Sequence, residues 1–354
     1  MTETKTKSKA FNAFIIGLSA IILIGAAGLG IYIYKKTLKE LETRSKCPPS
    51  VIGVNQANFR MTTRAIVKDV PKSAKVIDLW MPYPENRINQ IISNVVVKSP
   101  YKVEVNHEKE YGNAVLHTRV ENPGKDFEVA INFSVIRSEN MAAKFIDRNV
   151  YQLKDSGDYA VWKRYDKVGA LTPLLKGQAM RLTKGLPNNV DKAKAIYDYI
   201  AKTYIYDYDK KNLPTTRGDL SVFCQTKKGR CTELSTLFGT LARAAGIPVK
   251  YVSGYTLRNH QPGEVGGHCC WVEFFAPGYG WLPVDLASAK KFPQDKEYYF
   301  GNTDEWRVEL VVGRDLILEP PQKGPRINAW IDPYAEVDGR PFTVGKRVTW
   351  AKEF

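Results

Sequence analysis

The sequence predicts an α+β fold: a membrane-spanning helix, then an antiparallel β-sandwich, then a core in which a cysteine-bearing helix packs on an antiparallel sheet. Three observations carry this expectation. Residues 10–34 contain no ionisable acid or base. Between residues 59 and 137 apolar side chains recur every second position, as half-buried strands require. After Gly229 the period becomes helical, with Leu234, Leu237, Phe238, Leu241 and Ala245 on one face.

Composition sets the outer bounds. The chain has 354 residues, enough for two or three domains. An apolar fraction of 44% with 25% charged residues excludes a disordered chain. The formal charge of +15 carries no nucleic-acid motif with it. It suits anionic neighbours such as lipid headgroups or acidic polymers, and serves equally for solubility. Five cysteines at irregular spacing exclude a disulfide framework.

Taken in order, residues 1–9 are a polar tail with Lys5, Lys7 and Lys9. Residues 10–34 are long enough, as a helix, to cross a hydrocarbon core of about 30 Å. Tyr32 and Tyr34 sit at the interface level, and Lys35-Lys36 close the run. A cleaved signal would have a shorter apolar core, so an uncleaved anchor is expected. The Lys/Arg count flanking the span favours a cytoplasmic C-terminal part. Residues 35–56 are a charged linker stiffened by Pro48-Pro49.

Residues 57–140 form the sandwich. Met61, Thr63, Ala65 and Val67 alternate with polar neighbours, as do Ile77, Leu79 and Met81, then Tyr101, Val103 and Val105. The clearest run is Phe127, Val129, Ile131, Phe133 and Val135. His107 and His117 lie within it and read as surface or packing residues. A connecting segment spans 141–185, and residues 186–310 form the second domain. Its first helix shows Ala193, Ile196, Tyr197, Ile200 and Tyr204 on one face, after Pro187-Asn188-Asn189. The charged loop 207–219 either borders a cleft or merely connects.

Cys231 opens the next helix. The first N–H groups of a helix and its positive pole favour a thiolate and can donate to an oxyanion. A strand over 249–255 follows, then the glycine-rich Gly263-Glu264-Val265-Gly266-Gly267, then His268 at the head of an aromatic strand. Ala276-Pro277-Gly278-Tyr279-Gly280 turns the chain, and Trp281 to Leu286 returns as the partner. In that hairpin Asp285 falls near residues 269–271 and within diagonal reach of His268, provided the register puts both on one face. The chemistry expected is that of a Cys231-His268-Asp285 triad: Asp285 orients His268, His268 takes the Cys231 proton, and the sulfur attacks an amide or ester carbonyl to give a thioester. Gln225 is a second candidate oxyanion donor. Trp271 is a candidate for covering the thiolate–imidazolium pair, with plain core packing as the alternative. His260 is the alternative imidazole.

These blocks resemble the transglutaminase-like superfamily, whose core is papain-like, in its bacterial membrane-anchored branch. The resemblance rests on Gly229-Arg230-Cys231-Thr232-Glu233-Leu234, on Leu241-Ala242-Arg243-Ala244-Ala245-Gly246-Ile247-Pro248, on His268-Cys269-Cys270-Trp271-Val272-Glu273, and on Gly280-Trp281-Leu282-Pro283-Val284-Asp285. Leu79-Trp80-Met81-Pro82, Tyr298-Tyr299-Phe300-Gly301, Gly313-Arg314-Asp315-Leu316 and Tyr334-Ala335-Glu336-Val337-Asp338-Gly339 match in the flanks. It implies the same triad, residue by residue, and a catalytic part facing outward, against the charge count. Cys270 departs from the pattern as an extra thiol. No acidic series with calcium spacing is present, so no metal or other cofactor is expected. Residues 311–354 are a β extension that completes or braces the core. The function expected is attack on peptide or protein amides by a membrane-anchored thiol enzyme, hydrolysis being slightly preferred to cross-linking. The alternative is an inactive binding or scaffold protein in an envelope complex, docked through the sandwich.

Overall fold

The computed structural model describes residues 52–142, 159–209, 217–258 and 260–353. The tail at 1–9, the expected span at 10–34, most of the linker and residues 210–216 of the charged loop lie outside the described residues. Among the described residues no helix is long and apolar enough to cross a membrane.

The first part of the chain forms strands β1 (Ile52–Val67), β2 (Val76–Pro82), β3 (Gln90–Lys98), β4 (Glu104–His107), β5 (Ala114–Glu121) and β6 (Phe127–Asn140). Alternation drives β1: Phe59, Met61, Thr63, Ala65 and Val67 are buried, while the alternate residues reach solvent. β6 runs antiparallel to it, with Met61 opposite Phe133 and Ala65 opposite Val129. Tyr101 and Val103 pack on the core but precede β4, and Val105 is exposed. His117 is buried, its Nε2 3.0 Å from Asp78 Oδ1 and its ring against Trp80. His107 Nε2 lies 3.0 Å from Glu85. Both histidines serve packing and surface pairing.

The second part contributes α1 (Ala160–Lys163), α2 (Pro173–Thr183), α3 (Asn189–Thr203), β7 (Ile205–Tyr206), α4 (Leu220–Thr226), β8 (Lys228–Gly229), α5 (Cys231–Ala244), β9 (Val249–Thr256), β10 (Gly263–Glu264), β11 (Cys269–Ala276), β12 (Gly280–Val284) and α6 (Leu286–Lys291). β13 (Arg307–Val312), β14 (Tyr334–Val337), β15 (Arg340–Phe342) and β16 (Gly345–Lys352) follow. The segment expected only to connect contains α2, started by Thr172, whose hydroxyl accepts from Leu175 N, and by Pro173 at N1. Asn188 caps α3 in the same way through Asp191 N at 2.8 Å.

The C-terminal strands complete the sandwich. One sheet has the order β10-β16-β1-β6-β3 and the other β15-β14-β2-β5-β4, so β16 pairs with β1 and β14 with β2. A third, antiparallel sheet has the order β12-β11-β9-β13 and carries α5 on one side. Two apolar cores result. One lies between the two sandwich sheets and takes in Tyr255, Val308 and Leu310 from the third sheet. The other joins α3, α5 and the β9–β11–β12 strands. Ser50–Phe354 accordingly form one compact unit.

Candidate active site

The helix that places Cys231 is set at both ends. Leu234, Leu237, Phe238 and Leu241 are fully buried, each stabilising the docked helix by about 1.5–3 kcal/mol. At the start, the Glu233 carboxylate accepts from Arg230 N at 2.8 Å and from Gly218 N at 2.8 Å, which ties the end of the charged loop to the first turn. At the far end Gly246 takes φ +84°, and the Ile247 and Gly246 N–H groups return to Ala242 and Arg243 carbonyls in a Schellman motif. Gly229 matters because a Cβ there would stand 2.7 Å from the Phe223 ring. Only glycine lets Phe223 pack directly beneath the turn into Cys231.

Cys231 is 7% exposed, within the apolar cluster that includes Cys269 and Cys270. Both of those thiols interact electrostatically with its own, and its sulfur lies 3.9 Å from Thr232 Oγ1. The interaction with Cys269 favours the thiolate, but the interaction with Cys270 and burial outweigh it and push the thiol up to about 12. Lys291, paired with Tyr206, exerts a weaker opposite pull. The Cys270 interaction and burial thus act against the pull toward the thiolate that a helix start supplies.

Asp285 is fully buried and fully engaged. It accepts from Ser288 N at 2.8 Å and Ser288 Oγ at 2.6 Å, as the N-cap of α6. Arg307 Nη1 donates to it at 2.9 Å, and Arg307 Nη2 donates to Asp304 at 2.9 Å. Burial opposes the Arg307 charge, but the two carboxylates more than offset it and hold the guanidinium ionised. Trp271 lies under that guanidinium, 5.1 Å from ring centre to Arg307 Cζ, and is itself 0% exposed. It is a packing and cation–π residue, not the cover of an open cleft.

His268 is where sequence and structure part. β11 begins at Cys269 and pairs with β12 so that Val272 faces Val284. Asp285, the next residue, falls opposite Trp271, and strand alternation puts Cys269 on the same face with His268 on the other. Cys269 is the side chain that interacts with Cys231 and feels the Asp285 charge: its thiol is held well above its ordinary range by the Cys231 thiol, by burial and by Asp285. Among the described residues no hydrogen bond links His268 to Cys231 or Asp285. The imidazole is pushed down to about 4 by burial and by Arg217, with Asp332 opposing and Lys346 adding to the effect. The cause of this placement is the preceding loop. β10 is paired with β16, and Val265 N donates to Val348 O at 2.8 Å, which draws the approach to β11 toward the sandwich.

The other candidates also move. Gln225 is exposed on α4 and makes no side-chain hydrogen bond among the described residues. His260 is exposed, and its N–H donates to Leu257 O in a turn. Among the described residues no cluster of three or more His, Cys, Asp or Glu is arranged to hold a metal. A cleft of about 330 Å³ opens beside Asp304, Trp306, Arg258 and Tyr298, behind the Arg307 network, and does not include Cys231. Arg307 and Cys269 are the site residues that sequence reasoning passed over. For Cys269 a signal existed in the parity of the hairpin; for Arg307 none did.

Comparison with known proteins agrees with this architecture. Residues 176–286 match the model of the transglutaminase-like superfamily core. An uncharacterized protein of Haemophilus influenzae is 28% identical over 317 residues, covering 77% of this chain and 84% of that protein. The uncharacterized protein YebA of Bacillus subtilis is 28% identical over 172 residues, 45% of this chain, and the match spans 23% of YebA. The crystal structure of a Cytophaga hutchinsonii protein described as a candidate cysteine protease has the same fold, with a TM-score of 0.58 at 15% identity, covering 85% of this chain and 92% of that one. A cysteine at the head of a helix, packed on an antiparallel sheet that ends in a clamped aspartate, is the form that the match of residues 176–286 to the transglutaminase-like superfamily core takes here.

Proposed function

We propose that the chain is a thiol enzyme of the transglutaminase-like type that attacks peptide or protein amides through Cys231. The observation that carries this is the position of Cys231 at the first residue of α5, against the strand pair that ends in Asp285. The sulfur attacks the amide carbonyl, first-turn N–H groups receive the oxyanion, and the amine departs with a proton to leave a thioester. Water then releases the acid, or a primary amine is acylated; hydrolysis is the favoured outcome. The base is His268. It immediately precedes Cys269, and Gly266 and Gly267 before it have open space where a Cβ would stand. The register described for β11 is regular from Cys269 onward, so this role requires a one-residue bulge there during turnover, which would carry the imidazole to the face held by Cys269, beside Asp285. The apolar run at 10–34 anchors this body to a membrane with the catalytic part outward, a placement taken from the sequence and from the resemblance in it.

The test is incubation of the full chain with a peptide library, with and without a primary amine. Turnover is expected to vanish in Cys231→Ala and to fall by about 10²–10⁴-fold in His268→Ala. Turnover that survives Cys231→Ala overturns the proposal. A second reading is favoured by one observation, the thiol rather than imidazole that meets Cys231: an inactive binding or scaffold protein on the same fold. Failure of every peptide to turn over, with a partner still co-purifying in Cys231→Ala, selects that reading.

A further inference from the structure

We propose that Lys291, with Lys227, Lys228 and Arg230 on the turn before the nucleophile, forms a subsite that holds a carboxylate of the substrate, so that the amides attacked are those of carboxylate-bearing peptides. The proposal names a substrate class for the reading given above and rests on Cys231 as the nucleophile. The basic rim itself stands on separate observations.

Two elements converge on this turn. β7 and β8 are a short parallel pair, with Ile205 opposite Lys228 and Tyr206 opposite Gly229. Ile205 N donates to Lys227 O at 2.8 Å, and Asp207 N donates to Gly229 O at 2.8 Å. Neighbouring strands lie about 4.8 Å apart, and Cys231 follows Gly229 by two residues, so the Tyr206 backbone is roughly 10 Å or less from that of Cys231. α6 reaches the same place from the other side. Its N-cap is Asp285, its body packs on α5 and β7, and Lys291 at its end sets Nζ 4.8 Å from the centre of the Tyr206 ring.

The cations gathered here lack counter-charges. Lys290 Nζ donates to the Ala201 carbonyl. Lys291 is half-buried and has no hydrogen-bonding carbonyl or carboxylate among the described residues. The Tyr206 ring orients its ammonium without neutralising it. Among the described residues none of Lys227, Lys228, Arg230, Lys290 and Lys291 has a carboxylate within ion-pairing distance. The acids nearby are engaged by backbone: Asp207 accepts from Asp209 N at 2.9 Å, and Asp219 accepts from Ser221 N at 2.8 Å. Asp209, exposed, is the opposing charge on this rim. Burial works against the Lys291 charge, but Cys269 and Tyr206 more than offset it, and the ammonium in turn pulls Cys231 toward the thiolate.

A carboxylate docked on Lys291 therefore brings the adjoining amide to the head of α5. The exposed Tyr208 ring, 4.9 Å from that of Tyr206, extends the same wall, and Arg230 Nη2 donates to Tyr208 O at 3.4 Å, tying the basic turn to it. Charge complementarity of this kind also turns away basic peptides.

The experiment uses the reduced full chain and three peptides of one sequence, each carrying a neutral fluorophore. The first has a central Glu and an amidated end. The second has Gln in that place and an amidated end. The third has Gln and a free C-terminal carboxylate. Binding is read by fluorescence anisotropy, and turnover is followed on the same peptides. One of the two carboxylate peptides is expected to bind about tenfold more tightly than the neutral one. A preference for the first assigns the subsite to an acidic side chain; a preference for the third assigns it to a chain end. The preference should disappear in Lys291→Met, persist in Lys291→Arg, and fall severalfold in the doubly substituted Lys227→Ala, Lys228→Ala chain, whose changes are on exposed side chains. Equal binding of all three peptides by wild type overturns the proposal, as does a preference that Lys291→Met leaves intact. The wild-type comparison and the double variant decide the matter even where Lys291→Met fails to fold. Binding preference in a chain that turns over no peptide removes the enzyme and leaves the subsite. Turnover equal for all three peptides removes the subsite and leaves the enzyme.

Discussion

The alkylation rate of Cys231 as a function of pH is the most direct reading of the arrangement around the sulfur. A thiol pushed up to about 12 has a thiolate fraction near 10⁻⁴ to 10⁻⁵ at pH 7.5, against a few per cent for an unperturbed cysteine; the deficit is about a thousandfold. A more basic thiolate is a better nucleophile, and with a Brønsted slope of about 0.4–0.5 this returns roughly 20-fold. The net expectation is labelling about 50-fold slower than a free small thiol, before any loss from burial. The rate should climb about tenfold per pH unit up to at least pH 10, because the group is still far below its midpoint. His268→Ala should leave this profile unchanged, since the imidazole touches neither sulfur nor carboxylate. The assay is iodoacetamide labelling of the reduced full chain, quantified on the Cys231 peptide. A plateau reached below pH 7 and lost in His268→Ala would falsify the reasoning: it is the signature of a thiolate–imidazolium pair already formed, with His268 rather than Cys269 against the thiol.

Three further outcomes follow from the packing. Arg307→Met strips the cation from two buried carboxylates, Asp285 and Asp304, and should cost about 3–5 kcal/mol in urea unfolding; a change under about 1 kcal/mol would show that the aspartates are held by other groups. Glu273 is raised to about 7, chiefly by burial, with Lys250 at 3.9 Å only partly compensating. Its folded-state value exceeds its unfolded one, so its contribution is fully present below about pH 4.5 and is lost as pH rises through 7. Wild type should therefore lose on the order of 1–3 kcal/mol between pH 5 and 8 from this group, and Glu273→Gln should flatten the urea midpoint over that range; parallel curves for the two proteins would count against it. Gly254→Ala places a Cβ 1.9 Å from the Val308 carbonyl oxygen, where β9 and β13 approach at a bulge. Backbone must move to admit it, so a loss of about 3 kcal/mol in the same assay is expected, and an unperturbed midpoint would mean that the two strands do not lie so close.

What the sequence makes legible is whatever a single element decides alone. The alternation of Phe59, Met61 and Ala65 fixes β1, and the offsets of Leu234, Leu237, Phe238 and Leu241 fix α5, because each pattern registers one face turned to one core. The start of α2 was equally readable in Thr172 and Pro173. Pairing across long separations is not readable: nothing in residues 345–352 says that Lys352 will stand opposite Phe59, and nothing near Arg307 marks it as the clamp on Asp285. The candidate site fell between these cases. Cys231 and Asp285 are placed by local signals, a helix start and a hairpin end. The third position was chosen by residue type, because an imidazole is what thiol chemistry needs. Parity says otherwise. In a regular hairpin the residue opposite Asp285 is Trp271, and two steps back along the same face comes Cys269. Strand geometry is enforced by a ladder of hydrogen bonds to β9 and β12. A catalytic preference for His268 has only the local cost of a bulge with which to oppose it. The competition between that ladder and that bulge is what decides whether this core presents a triad or a pair of thiols.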